Sequence, residues 1–320
     1  MQQPRLVASD VDGTLLVERQ PSERTVAAVA DVLASGTPFV LVTGRPPRWI
    51  PPIAQFLPGL GTAVCANGAV LYDIPTDRVL STVTLPPELL RELAATCARL
   101  LPEAWLAVER VGAGAFDDVE GQFLCEVDVR LSRPGGYRGV WSSAQHTAVP
   151  RERLLEAPAI KMLVKDPGRT SDELRAVLAP ALGGVVDLTF ASSNGLVELA
   201  PAGVTKATGL ARVAESAGVA RADVIAFGDM PNDVDMLRWA GHGVAMGNGH
   251  PDVLAVADEV TASNAEDGVA LVLERWFPGQ VRRDPAPRVA STTAHAHAPR
   301  PPGGVWSGRS AGYPHRDNRD

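Results

Sequence analysis

Short apolar runs alternate with helix-period segments through the first part of the chain. Leu6, Val7 and Ala8 read as a buried strand that ends in a turn at Gly13. Ser22 is a helix cap. Val26, Val29, Ala30 and Leu33 follow at helical spacing, and Gly36 is the stop. Residues 39–42 are a second apolar strand. Pro46 and Pro47 open a helix predicted to run to about residue 56, and residues 62–65 are a third strand. Strand, helix, strand, helix, strand is the pattern of a parallel sheet with helices on its faces.

The rhythm then changes. A helix is predicted from Pro86-Pro87 to about residue 101. Residues 105–110 and 122–129 alternate like strands of a sheet with one wet face. Residues 132–148 read as a polar loop, 160–164 as a strand, 170–182 as a helix and 185–191 as a strand. After Pro201 the first rhythm returns. It comprises a helix at 205–216 stopped by Gly218, a buried strand at 224–227 and a short helix at 231–240. Strands at 243–246 and 259–260 follow, then a closing helix at 266–276 capped by Ser263 or Asn264. The fold class is α/β. One core is formed by residues 1–83 and 195–278 and interrupted by an α+β module at 84–194, with linkers near 80–86 and 192–199. From 279 to 320 the chain turns to Pro, Gly, Ser and His, with seven Arg against three Asp, and reads as a disordered, mildly basic tail. Its His295 and His297 read as solvated residues.

Composition narrows the classes. The chain has 320 residues, 45% of them hydrophobic, enough for two domains with sizeable cores. A net charge of −7 offers no long-range pull on nucleic acid or an anionic membrane. No apolar run approaches the roughly 18 residues of a membrane span. No signal-peptide core precedes the first strand. The three cysteines are odd in number and far apart, which fits reduced thiols and excludes a Cys-type zinc site. A cytoplasmic protein is expected. Nothing in the pattern specifies an oligomeric state.

Polar groups gather where the predicted strands end. The first strand delivers Asp10 and Asp12, the second Thr43 and Arg45, the third Asn67, and a later one Asp229 with Asp233 a helical turn on. Ligands of open α/β sheets bind at such carboxyl ends. Asp10 and Asp12 are spaced i, i+2 and should point the same way on an extended chain. They would repel unless a cation or a proton relieves them. Asp10, Asp229 and Asp233 form a hard-oxygen set suited to Mg²⁺, which keeps waters and a substrate phosphate as further ligands. Lys206, at a helix start, is mildly unfavourable to the helix dipole and suits a phosphate instead. Thr43 offers a hydroxyl for a phosphate oxygen. Trp105, Trp141 and His146 read as packing residues.

In combination these residues resemble the haloacid dehalogenase-like (HAD) superfamily. The motifs run in order: Asp-x-Asp-Gly-Thr at 10–14, Thr43, Lys206, and Gly-Asp-x-x-Asn-Asp at 228–233. The Cof-type subfamily is closer, through Thr43-Gly44-Arg45, Asn67-Gly68-Ala69, Gly203-Val204-Thr205-Lys206, Ala245-Met246-Gly247-Asn248 and the run Asn-Ala-Glu-Asp-Gly-Val at 264–269. The resemblance covers about 5–277. It implies a Rossmann-like core, with module 84–194 as a C2B-type cap. It also implies a Mg²⁺-dependent phosphatase of small phosphorylated metabolites, sugar phosphates or similar, working through an aspartyl-phosphate. Asp10 would be the nucleophile and Asp12 the general acid and base. Metal would be held by Asp10, the Asp12 carbonyl, Asp229 and Asp233. Phosphate contacts would come from Thr43, Gly44, Arg45, Asn67, Lys206 and Asn232. Within that superfamily, an Asp at the place of Asp12 implies an alcohol leaving group. The alternative is a phosphomutase or a more specialised sugar-phosphate phosphatase. A non-catalytic phosphometabolite-binding protein fits less well, because every acid and the lysine are intact.

Overall fold

A computed structural model describes residues 3–126 and 146–279. The expected tail beyond residue 279 and most of the expected loop at 132–148 lie outside the described residues. So does the end of the strand expected at 122–129, from residue 127 on.

The core begins with β1 (Leu6–Ser9), α1 (Glu23–Ala34), β2 (Phe39–Leu41), α2 (Pro51–Ala54) and β3 (Thr62–Cys65), then β4 (Val70–Asp73) and β5 (Arg78–Thr82). The inserted module holds α3 (Pro87–Leu100), β6 (Trp105–Glu109), α4 (Val119–Gln122), β7 (Phe123–Glu126), β8 (Thr147–Val149) and α5 (Arg151–Leu154). It continues with β9 (Lys161–Lys165), α6 (Ser171–Leu182), β10 (Val186–Thr189) and β11 (Leu196–Pro201). The core resumes with α7 (Lys206–Ser216), β12 (Val224–Gly228), α8 (Val234–Trp239), β13 (His242–Ala245), α9 (Pro251–Leu254), β14 (Glu259–Val260) and α10 (Gly268–Leu273).

The core sheet is parallel throughout, in the order β14-β13-β12-β1-β2. Burial on both faces explains the unbroken apolar runs. Val7, Phe39, Leu41, Ile225 and Phe227 pack against one layer with Val29, Val32, Val269 and Val272. Leu6, Ala8, Val40, Val224 and Ala226 pack against the other with Leu210, Val213, Met236 and Leu237. The chain leaves β1 for β2 on one side and returns as β12 on the other. The carboxyl end of β1 is therefore a topological switch point. A parallel bridge between Val42 and Val64 carries the sheet on to β3, which heads an antiparallel ribbon with β4 and β5.

The inserted sheet runs β10-β11-β9-β6-β7-β8, antiparallel except for β7 and β8. Leu106, Val108, Met162, Val164, Val197 and Leu199 face α3 and α6. The opposite face carries Ala107, Phe123, Cys125 and Leu163, together with the buried charges of Glu109, Lys161 and Glu198.

Four expectations change. The helix of 47–56 is broken into a single turn at Pro47–Trp49 and the short α2, because Pro51 has no N–H to continue the ladder. The β4–β5 ribbon was not expected; its turn uses Asp77 at φ +50°. Residues 196–201 are strand β11 rather than linker, so the inserted sheet continues past residue 194, with Glu198 buried in it. The closing helix is shorter, because Asp267 at φ +62° separates a Ser263-capped turn from α10. Among the described residues no helix is long and apolar enough to cross a membrane.

Helix α7 sits hard against the turn after β3. A Cβ on Gly68, at φ +102°, would stand 2.1 Å from the carbonyl oxygen of Thr205. Gly36, at φ +81°, has open space around it. Gly36→Ala should therefore cost only the left-handed backbone penalty, about 1 kcal/mol. Gly68→Ala should add about 1–3 kcal/mol of backbone displacement. Urea unfolding of the two variants separates these contributions, and equal midpoints would refute the close approach.

Candidate active site

The end of β1 is held between its neighbours, with the Asp10 amide donating to the Phe227 carbonyl at 2.9 Å. The chain then turns, and the amides of Leu15 and Leu16 both return to the Val11 carbonyl. Gly13, at φ +83°, lets Asp229 in, since a Cβ there would lie 2.2 Å from Asp229 Oδ2. Thr14 Oγ1 donates to Asp229 Oδ1 at 2.9 Å. Lys206, the first residue of α7, donates from Nζ to Asp10 Oδ1 and to Asp233 Oδ1, each at 2.6 Å. The other oxygen of Asp233 accepts the amides of Asp229 and Met230 at 3.1 and 3.0 Å.

Asp10, Asp229 and Asp233 thus converge, each offering a carboxylate oxygen within 4.8 Å of the others, and all three are buried. Burial raises Asp10 to about 7 against the pull of Lys206, with Asp233 and Asp12 adding to the rise. Burial and the charges of Asp10 and Asp233 raise Asp229 to about 8. Burial alone would lower Lys206, but the two carboxylates outweigh it and hold the ammonium above its ordinary value. Three carboxylates face one ammonium, and two of them bind protons unusually tightly. That donor set fits a hard divalent cation. Asp10 and Asp229 have oxygens to give it, whereas both oxygens of Asp233 already hold protein donors.

Asp12 lies apart from this cluster. β1 ends at Ser9, so the i, i+2 rule no longer governs Asp12, and its side chain is 50% exposed. Arg45 grips it in a fork, Nε to Oδ2 at 2.7 Å and Nη2 to Oδ1 at 2.5 Å. Arg45, expected on phosphate, is thus placed on the acid. Thr43 is buried, and its Oγ1 accepts the Arg45 amide at 3.1 Å. The Gly44 carbonyl accepts Lys161 Nζ at 2.9 Å.

Asn67 and Asn232, also expected on phosphate, are turned to each other. Asn232 Nδ2 donates to Asn67 Oδ1 at 3.0 Å, and Asn67 Nδ2 donates to Glu198 Oε2 at 2.5 Å. Both are buried, and Asn232 Oδ1 finds no partner among the described residues. Asn67 takes φ +54°, which asparagine tolerates better than most residues. The amides of Ala66 and Asn67 zip onto the carbonyls of Arg45 and Thr43.

Sequence reading missed the polar groups contributed by the inserted sheet. Lys161 bridges Gly44 and Glu198, and Arg48 forks onto Glu109 with Gln122 alongside. The available signal was a charge inside an apolar strand at the alternate positions, Lys161 and Glu198.

The family described as haloacid dehalogenase-like hydrolase matches residues 7–273. A 5-amino-6-(5-phospho-D-ribitylamino)uracil phosphatase of Bacillus subtilis is 30% identical over 278 residues, 86% of this chain and 98% of that protein. A pyridoxal phosphate phosphatase of Escherichia coli is 28% identical over 285 residues, 83% of this chain and 96% of that protein. Among solved structures, a haloacid dehalogenase-like hydrolase from Bacteroides thetaiotaomicron superposes with a TM-score of 0.65 at 26% identity, covering 87% of this chain and 100% of that one. A HAD subclass IIB sugar phosphatase shares the fold with a TM-score of 0.68 at 24% identity, covering 85% and 98%.

Asp10 and Asp229 bind protons more tightly folded than unfolded. Their contribution to stability is therefore fully present below the ordinary carboxylate range and is lost as pH rises through about 7 and about 8. Without metal, the protein should lose melting temperature between mildly acidic and alkaline pH, and Asp229→Asn should flatten that decline. Parallel declines in the two proteins would contradict the assignment.

Proposed function

The chain belongs to the haloacid dehalogenase-like hydrolase family, and on that premise we propose that it hydrolyses phosphate monoesters of small metabolites, sugar phosphates or similar, with Mg²⁺ and through a phosphoryl group carried on Asp10. Phosphoric monoester hydrolysis is its enzyme class. The observation that carries the finer reading is the buried cluster in which Lys206 ties Asp10 to Asp233, with Asp229 alongside.

Each residue has a role its surroundings support. Asp10, at a strand end and pinned by Lys206, is the nucleophile, and a carboxylate in that role splits one displacement into two easier steps. Asp12 is half-exposed and oriented by Arg45. It hands a proton to the leaving alcohol and later takes one from the attacking water. Lys206 and the Thr43 hydroxyl neutralise and orient the transferring group, where most of the catalysis of phosphoryl transfer lies. Asp233 orients Lys206 and shapes the loop that presents Asp229. When bound, Mg²⁺ would be held by Asp10, Asp229 and the Asp12 carbonyl and would screen the phosphoryl charge. Phosphatases of two phosphorylated metabolites among the relatives support the substrate class. The inserted sheet is proposed as the cap, placed over the core loops, where it would set specificity and exclude water. Cys65, Cys97 and Cys125 are buried thiols, in keeping with work in the cytoplasm.

Phosphate release from p-nitrophenyl phosphate and from a panel of sugar phosphates tests this reading. Activity should require Mg²⁺ and vanish in EDTA. Asp10→Asn should lose at least about 10³-fold in kcat while still unfolding in one cooperative transition. Asp12→Asn should lose about 10²–10⁴-fold on alkyl phosphates and distinctly less on p-nitrophenyl phosphate, whose leaving group needs little protonation. A chelator-resistant wild type, or an Asp10→Asn variant close to wild type, would sink the mechanism.

A further inference from the structure

One continuous chain of hydrogen bonds ties the active-site loops to the inserted sheet, and the chemistry above makes no use of it. Lys161 of β9 donates to the Gly44 carbonyl at 2.9 Å and to Glu198 Oε1 at 2.8 Å. Glu198 of β11 spends its other oxygen on Asn67, which in turn holds Asn232 on the loop between Asp229 and Asp233. Lys161 and Glu198 are both buried. A buried ion pair adds little cohesion that a well-packed apolar pair would not supply. Its value here lies in what the ammonium points at.

The target is a single peptide unit. The carbonyl of Gly44 faces Lys161, and the N–H on the same peptide, that of Arg45, donates to Thr43 Oγ1 at 3.1 Å. A rotation of that peptide would break both bonds together. With the N–H occupying a lone pair of the Thr43 oxygen, the hydroxyl proton is left to donate, and no acceptor for it occurs among the described residues. A phosphoryl oxygen is the acceptor that would complete the set. We propose that Lys161, held in place by Glu198, is a positioning residue that reaches across from the inserted sheet and fixes the Thr43 hydroxyl as a donor to the transferring phosphoryl group. The inference rests on the phosphatase reading and deepens it: the phosphate pocket is complete only with the inserted sheet seated, so that sheet serves turnover as well as substrate choice.

A double-mutant cycle between Lys161 and Thr43 tests the idea with p-nitrophenyl phosphate and saturating Mg²⁺. Lys161→Met should lower kcat about tenfold with KM changed less than about threefold, and in a Thr43→Val background the same substitution should cost less than about twofold. Lys161→Met alone leaves Glu198 buried without its cation, so Lys161→Met/Glu198→Gln is made in parallel. It removes both charges, keeps an acceptor for Asn67, and should hold the wild-type melting temperature while showing the same loss of kcat. Wild-type kcat in a folded variant, or losses that multiply in the Thr43→Val background, would overturn the positioning role and leave the phosphatase reading standing. A wild type that releases no phosphate with Mg²⁺ would remove that reading and this one with it.

Discussion

The double ion pair of Lys206 is the interaction on which the rest of the site depends. Its ammonium is wholly buried and bonded to Asp10 and Asp233. Three carboxylates within 4.8 Å would drive one another apart, and Lys206 is the cation among the described residues that bonds two of them. A lysine at the start of a helix opposes the helix dipole. The placement is favourable only because the carboxylates outweigh both that field and the cost of burial.

Much of the backbone follows from getting that ammonium into place. Helix α7 must approach the turn after β3 closely, which Gly68 and Gly209 permit: a Cβ on Gly209 would lie 2.8 Å from the Gly68 Cα. The same turn holds Asn67 in a left-handed conformation and is laced to the Thr43 and Arg45 carbonyls. Asp233 divides its two oxygens between Lys206 and the amides that shape the Asp229 loop. Position of the helix, conformation of the turn and direction of the acids form one mechanical unit.

The seam between core and inserted sheet is built on charge as well as shape. Arg48 with Glu109 and Lys161 with Glu198 are buried pairs on the face opposite α3 and α6. Breaking one such pair costs about 3–5 kcal/mol, although forming it adds little over an apolar contact. Pairs of that kind specify where the sheet sits more than how tightly it is held. They place the seat of the inserted sheet directly on Gly44 and Asn67, in the loops that follow β2 and β3.

Local periodicity carried most of the core. Residues 6–8, 39–42 and 224–227 are apolar on both faces because helices cover both, and the Ser22 cap and Gly36 stop act within one turn of chain. That Asp10, Asp229, Asp233 and Lys206 would gather at one edge of the sheet was expected for a similar reason: each stands at a strand or helix end, and the four do converge. What one residue does to another far along the chain was not legible. Arg45 on Asp12, Asn67 on Asn232, and Lys161 on Gly44 join segments 33, 165 and 117 residues apart. Residues 196–199, expected as linker, belong to β11, and the glutamate among them is buried with Lys161 and Asn67 beside it. Which groups arrive at the strand ends could be read from the chain alone, since that depends on neighbours a few residues away. Which of them face one another was settled by the folded chain, because the partner that makes a buried charge or amide tolerable comes from a distant segment.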